Sequence, residues 1–318
     1  MPSSGDVTGL RVIAFPGAPN LPIFAAIEQG MFRDEGLDVD LSTTPNSVYQ
    51  FEKLVAGEFD IACSAYDNVV AYSEGQGAVK LDGRSDFRVL MGVTQIELAF
   101  VVAPDIQSYS DLKGRSIALD ALSTGFAFVL YEMLDRGGLE PEDYEMAAVG
   151  ATPQRWQSVR EGEHAGTLTI EPFTSIARAA GFNILDVSSN VVDSYQGGIV
   201  TASQSWARAN PVPVRGFIRG YLKGLDWTLK PANREAGANL LLANMPAIKP
   251  GVVDAVMNSL LSPKSGLTPK GAILRDGMKT VLSLRSRHGE PKRELTDIDK
   301  YLDLTFYVDA VSNDEEWT

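Results

Sequence analysis

Two histidines and one cysteine leave this sequence little for metal or nucleophilic chemistry. His164 and His288 lie far apart, and neither stands in a metal-ligand spacing. A serine nucleophile would have to recruit one of them from a polar loop, a poor setting for a general base. Cys63 follows Phe59 and Ile61 in an alternating apolar run, with no basic neighbour in sequence to lower its pKa. It reads as a buried structural thiol. No phosphate-loop or dinucleotide glycine pattern occurs. The chemistry left is binding, with no catalytic residue, metal or cofactor assigned.

Groups suited to binding recur at expected helix starts and strand ends. Ser123, Thr124, Gly125 and Phe126 open a helix running to Arg136 that is apolar nearly all round. First-turn amides carry the positive end of the helix dipole, a seat for an anion. The plainer reading is an ordinary Ser/Thr cap. Glu171 ends a strand and either reaches into a cleft or caps the next helix. Tyr49, Tyr66 and Phe126 offer aromatic walls, which with helix N-termini suit a small carboxylate or sulfonate on an aromatic or aliphatic body. Asp67, Glu97 and Glu171 instead suit an amine or a pyrimidine-type ring. The candidate ligand-binding set is Asn20, Leu21, Ser47, Tyr49, Tyr66, Asp67, Gln95, Ser123, Thr124, Gly125, Phe126, Glu171 and Tyr195.

The elements that place these groups begin with the stretch from Leu10 to Asp67. Leu10, Val12 and Ala14 alternate as a strand before the breaker run Pro16 to Asn20. Apolar residues from Leu21 to Phe32 recur at helical spacing, then Leu37, Val39 and Leu41 alternate again. Asn46 or Ser47 caps a second helix, and Phe59, Ile61 and Cys63 form a third strand. Helical crossovers between these strands imply a parallel sheet with its ligand edge at the strand ends. Further on, the pattern predicts a helix at Val69 to Gly75, strands at Phe87 to Val93 and Ala99 to Ala103, and one long helix from Trp206 to Lys230.

Composition sets the outer limits. At 318 residues the chain is long enough for two lobes. A net charge of -13 argues against nucleic acid or an anionic membrane as partner. A lone cysteine allows no internal disulfide, and no apolar run reaches the ~20 residues that span a bilayer. The first residues, MPSSGDVTG, have neither a basic nor an apolar leader region.

Several phrases resemble the NMT1/SsuA-like substrate-binding proteins. One is Ala26, Gly30, Phe32, Glu35, Gly36, Leu37, Asp38, Val39; another is Leu54, Gly57, Asp60, Ile61; a third is Leu112, Lys113, Gly114, Arg115, Ile117. A fourth, around Gly166 and Glu171-Pro172, departs from the pattern because the acidic residue usual before alanine is replaced, His164 and Ala165 preceding Gly166. The resemblance implies an α/β chain with the two-lobed periplasmic-binding-protein type 2 fold. Each lobe is a mixed, mainly parallel sheet flanked by helices, and two crossover strands join them. Residues 1–102 plus 200–318 would form lobe 1 and 103–199 lobe 2, with the cleft between. It also implies an acidic ligand group at the Ser123–Phe126 helix start and a closing aromatic at Tyr195.

The function implied is capture of a small organic ligand by hinge closure for ABC-type import, the ligand being a sulfonate, a carboxylate or pyrimidine-like. The alternative is a cytosolic enzyme on the same fold, such as a decarboxylase, desulfinase or pyrimidine-synthesis-like protein, in which Cys63 would be the cleft nucleophile. Partners expected are the small molecule and, if the chain is exported, an ABC permease, with the protein a monomer. Location follows from the leader: periplasmic if one was trimmed, cytoplasmic if Met1 is the native start.

Overall fold

The computed structural model describes residues 7–83 and 85–312, so most of the N-terminal stretch read for a leader lies outside it. The chain opens with β1 (Thr8–Ala14), α1 (Leu21–Glu28), α2 (Met31–Asp34), β2 (Leu37–Thr43), α3 (Ser47–Val55) and β3 (Ile61–Ala65). Both β2 and β3 pair with β1 in parallel. The single helix expected from Leu21 to Phe32 is broken in two, because Gly30 takes a left-handed φ of 75° that ends one helix and starts the next. Next, α4 (Tyr66–Glu74) begins directly after β3, so Tyr66 and Asp67 form its first turn. The expected start at Val69 was three residues late.

After β4 (Phe87–Gly92) the chain crosses to a second sheet. There it forms β5 (Ala99–Val102), β6 (Arg115–Leu119), α5 (Gly125–Arg136), β7 (Tyr144–Ala148), α6 (Thr152–Arg160), β8 (Gly166–Thr169), α7 (Phe173–Ala179) and β9 (Asn183–Val187). It returns through β10 (Gly198–Ser203). The strand orders are β2-β1-β3-β10-β4 and β7-β6-β8-β5-β9. Each sheet has one antiparallel strand, and that strand is a crossing: β10 runs against β3 and β4, β5 against β8 and β9. The sequence reading placed Ala99–Val102 at the end of lobe 1, but β5 pairs within the second sheet.

The C-terminal third is helical and packs mainly on the first lobe, with α12 also reaching α5 of the second: α8 (Gln204–Ala209), α9 (Pro211–Leu229), α10 (Arg234–Asn244), α11 (Val253–Leu260), α12 (Arg275–His288) and α13 (Thr305–Val311). The long helix expected from Trp206 is interrupted at Asn210 (φ −126°, ψ 54°), since the residue before Pro211 is driven out of helical geometry. Helix α9 crosses α1 closely. A Cβ at Gly224 would lie 2.1 Å from the Pro22 carbonyl oxygen, so this crossing needs glycine. Phe32 and Phe217 stack 5.3 Å apart beside it, each contributing roughly 1.5–3 kcal/mol by burial. A second cluster spans both sheets, joining Val69, Phe100, Phe128 and Met278. The two lobes therefore meet over packed apolar surface.

Candidate functional site

Each lobe sets a carboxylate on a helix start of the other. Asp67, in the first turn of α4, accepts the Gly125 N–H of α5 at 2.6 Å. Asp120, just past β6, accepts the Ser47 N–H of α3 at 3.2 and 3.4 Å. Both sites exist because strand ends and helix starts lie together at the edge of a parallel sheet, where first-turn amides lack partners within the helix. Side-chain caps complete the pattern: Asn46 Oδ1 accepts Tyr49 N–H at 2.7 Å, and Thr124 Oγ1 accepts Ala127 N–H at 3.4 Å. Two backbone bonds also cross the seam, Ala18 N–H to the Glu171 carbonyl at 3.0 Å and Ala151 N–H to the Pro45 carbonyl at 2.9 Å.

Arg285 of α12 locks the first of these contacts. Its Nε and Nη2 donate to the two Asp67 oxygens at 2.6 and 2.8 Å, while Nη2 also donates to the Ser123 carbonyl at 2.6 Å. Its guanidinium lies 5.0 Å from the Phe128 ring centroid. Both charges are buried, at 0% and 1% side-chain exposure. Gly125 makes room for this, since a Cβ there would lie 2.4 Å from Asp67 Cγ and 2.5 Å from the Tyr195 hydroxyl oxygen. The helix start expected to hold a ligand's acid group is thus engaged by the protein's own Asp67.

Beside these contacts lies a cavity of about 90 Å³. Phe15, Asn20, Asn68 and Thr94 face it from the first lobe, Phe126 and Arg155 from the second. Of the candidates from sequence, Asn20, Asp67, Thr124, Gly125 and Phe126 line it. The others lie elsewhere. Leu21 is buried in the α1–α9 core. Ser47 meets the seam through its backbone N–H, and Tyr49 is exposed under Lys53. Tyr66 is buried edge-on to Tyr301 with centroids 6.1 Å apart, and burial raises its phenol far above the ordinary value. Ser123 contributes its carbonyl to Arg285. Gln95 and Tyr195 border a separate recess with Glu97 and Ser189. Tyr195 is itself 2% exposed and fixed under Phe126, its hydroxyl pushed well up by burial and by Asp67.

Glu171 faces a third, small recess, where its carboxylate accepts the Ser175 hydroxyl at 2.9 Å. Burial raises its pKa, and the bonds from Ser175 and Ser259 only partly offset this. Cys63 does line the cavity, and burial pushes its thiol up to about 12. Several cavity groups escaped the sequence reading, among them Phe15, Asn68, Thr94, Asp120, Thr152 and Arg155. Asp120 carried a signal, standing directly after a strand at the ligand edge. Arg155 carried a weaker one, one turn into a helix that starts at the same edge.

Among the described residues no group of three or more His, Cys, Asp or Glu side chains is placed to hold a metal, and no helix is long and apolar enough to cross a membrane.

Comparison with known proteins matches residues 4–242 to the model of the NMT1-like family. The formylaminopyrimidine-binding protein of Halalkalibacterium halodurans is 23% identical over 256 residues, covering 78% of this chain and 73% of that protein. Among solved structures, a protein of Bordetella bronchiseptica RB50 superposes with TM-score 0.78 at 22% identity, covering 96% of this chain and 97% of the other. The alkanesulfonate-binding protein SsuA from Xanthomonas axonopodis pv. citri, bound to MOPS, gives TM-score 0.72 at 16% identity, covering 94% and 97%.

Proposed function

This chain belongs to the NMT1-like family, and on that premise we propose that it is the solute-binding component of an ABC-type importer, holding a small organic molecule between two lobes. The observation that carries this reading is the cavity of about 90 Å³ at the seam, walled by groups from both sheets. A guest there touches both lobes at once and so favours their closed arrangement over an open one. The lobes divide at the two crossings, before β5 and before β10. The printed functions of the relatives, binding of a formylaminopyrimidine and of alkanesulfonates, agree with such a role. The partners are the solute and, where the chain is exported, a membrane permease, and the protein works as a monomer.

The enzyme reading rests on Cys63, which stands on the cavity wall. With its thiol pushed up to about 12, the side chain is protonated at neutral pH and offers no thiolate for attack. Binding without turnover is the better account.

A thermal-shift screen of sulfonates, aromatic acids, nitrate and pyrimidines tests the proposal, followed by titration calorimetry of each hit. Ala65 stands on the cavity wall, and binding that disappears in a cavity-filling Ala65→Leu variant supports it. A hit that is chemically converted, or one that binds Ala65→Leu unchanged, contradicts it.

A further inference from the structure

Arg155 is 2% exposed and lines the cavity, and its Nε and Nη1 have no hydrogen-bond partner. Only Nη2 is engaged, donating to Thr152 Oγ1 at 2.9 Å. A buried guanidinium with unmade bonds is costly and calls for an acceptor. Asp120 acts on it through space but makes no hydrogen bond to it, its oxygens accepting the Ser47 N–H instead. Several helix starts face this seam, among them those of α1 at Asn20 and α4 at Ala65, neither with a side-chain cap. The start of α3 is held by Asn46 and Asp120, and that of α5 by Thr124 and Asp67. The start of α6, at Ala151 and Thr152 on the cavity wall, has no side-chain cap.

We propose that the guest is a compact organic anion whose charge is seated on the unpartnered Arg155 guanidinium, beside the N-terminus of α6. This rests on the ligand-binding reading above and narrows it. The guanidinium supplies directed N–H donors, and the helix start supplies its dipole, its Ala151 and Gln154 amides being engaged to the Pro45 and Ala151 carbonyls and Pro153 having none. Phe15, Phe126 and Ile170 wall the rest, which suits an apolar body. Size sets a bound. An apolar cavity of about 150 Å³ takes benzene, and about 90 Å³ takes less. Short-chain carboxylates and sulfonates fit the space, and neutral rings leave the cation unanswered.

The test pairs anions with neutral isosteres: acetate with acetamide, propionate with propionamide, methanesulfonate with methanesulfonamide. Calorimetry is run on the wild type, Arg155→Met and Arg155→Lys. At least one small anion binds tenfold or more tighter than its amide, and Arg155→Met loses tenfold or more of that affinity. Without any ligand, Arg155→Met melts higher than wild type, because a buried charge without a partner is replaced by an apolar chain. A structural role for Arg155 gives the opposite sign. Amides binding as tightly as anions, anion affinity unchanged in Arg155→Met, or no binding by any anion overturns the inference. A pyrimidine that binds the wild type but not Ala65→Leu overturns the anion assignment alone and leaves the solute-binding reading standing.

Discussion

The Asp67 carboxylate accepts the Gly125 N–H at 2.6 Å across the seam, so one lobe ends its own strand–helix turn on the helix start of the other. Asp120 and Ser47 repeat the arrangement with the lobes exchanged. A carboxylate at a helix N-terminus contributes about 0.3–1 kcal/mol at a surface and up to ~2 kcal/mol when partly buried. Two such contacts hold the lobes together without taking the cavity, which lies beside them. Holding and recognition are thereby separated: Asp67 and Asp120 fasten the lobes, and Arg155 remains for a guest.

Removing Arg285 leaves Asp67 buried without its counter-charge. Arg285→Met is expected to lose about 3–5 kcal/mol of unfolding free energy in urea denaturation. The double variant Asp67→Asn, Arg285→Met recovers a large part of it. Equal stability of both variants contradicts the pairing.

Gly125→Ala drives a methyl group against the Asp67 carboxylate and the Tyr195 hydroxyl, atoms 2.4–2.6 Å from where it would sit. The seam must open to relieve this. Small-angle scattering is expected to show a larger radius of gyration than wild type, with a lower Tm. An unchanged radius and Tm would mean that Asp67 and α5 are not held this closely.

The fold was largely legible from local pattern. Alternation at Leu10, Val12 and Ala14 and the Asn46 cap lead directly to β1 and α3. Breaks inside helices were less so, because Gly30 and the Asn210–Pro211 junction sit within runs of continuous helical periodicity. For the cavity, proximity to a strand end was an incomplete guide. Tyr66 and Asp67 are neighbours at the start of α4, yet Asp67 reaches the seam while Tyr66 turns into the core against Tyr301. Arg155 was only faintly legible, for another reason. A charged residue in a helix normally marks a solvated face, and only tertiary packing shows this one to be buried with two of its nitrogens unpartnered.

Glu171 gives a pH prediction. Burial raises its folded pKa above the ordinary 4.5, so the folded state holds a proton that the unfolded chain releases. The stabilisation from that proton is present below the unfolded value and is lost as pH rises through the raised folded value. Glu171→Gln avoids this loss. Its Tm relative to wild type is expected to climb between pH 4 and pH 7, and a flat difference across that range contradicts the burial argument.

Cys63 provides a check on the binding-only reading. With a thiol at about 12, alkylation by iodoacetamide at pH 8 is expected to run roughly a thousandfold slower in the native protein than in urea. Rapid native labelling would restore the case for a cleft nucleophile.

The most direct measurement is a crystal structure with the tightest-binding member of the two compound panels. The account predicts the guest in the cavity among Phe15, Thr94 and Phe126, with its charged group within hydrogen-bond distance of Arg155 and Asp67 still on Gly125. A guest seated in the recess beside Gln95 and Tyr195, or one that displaces Asp67 from the α5 helix start and leaves Arg155 without a partner, would contradict it.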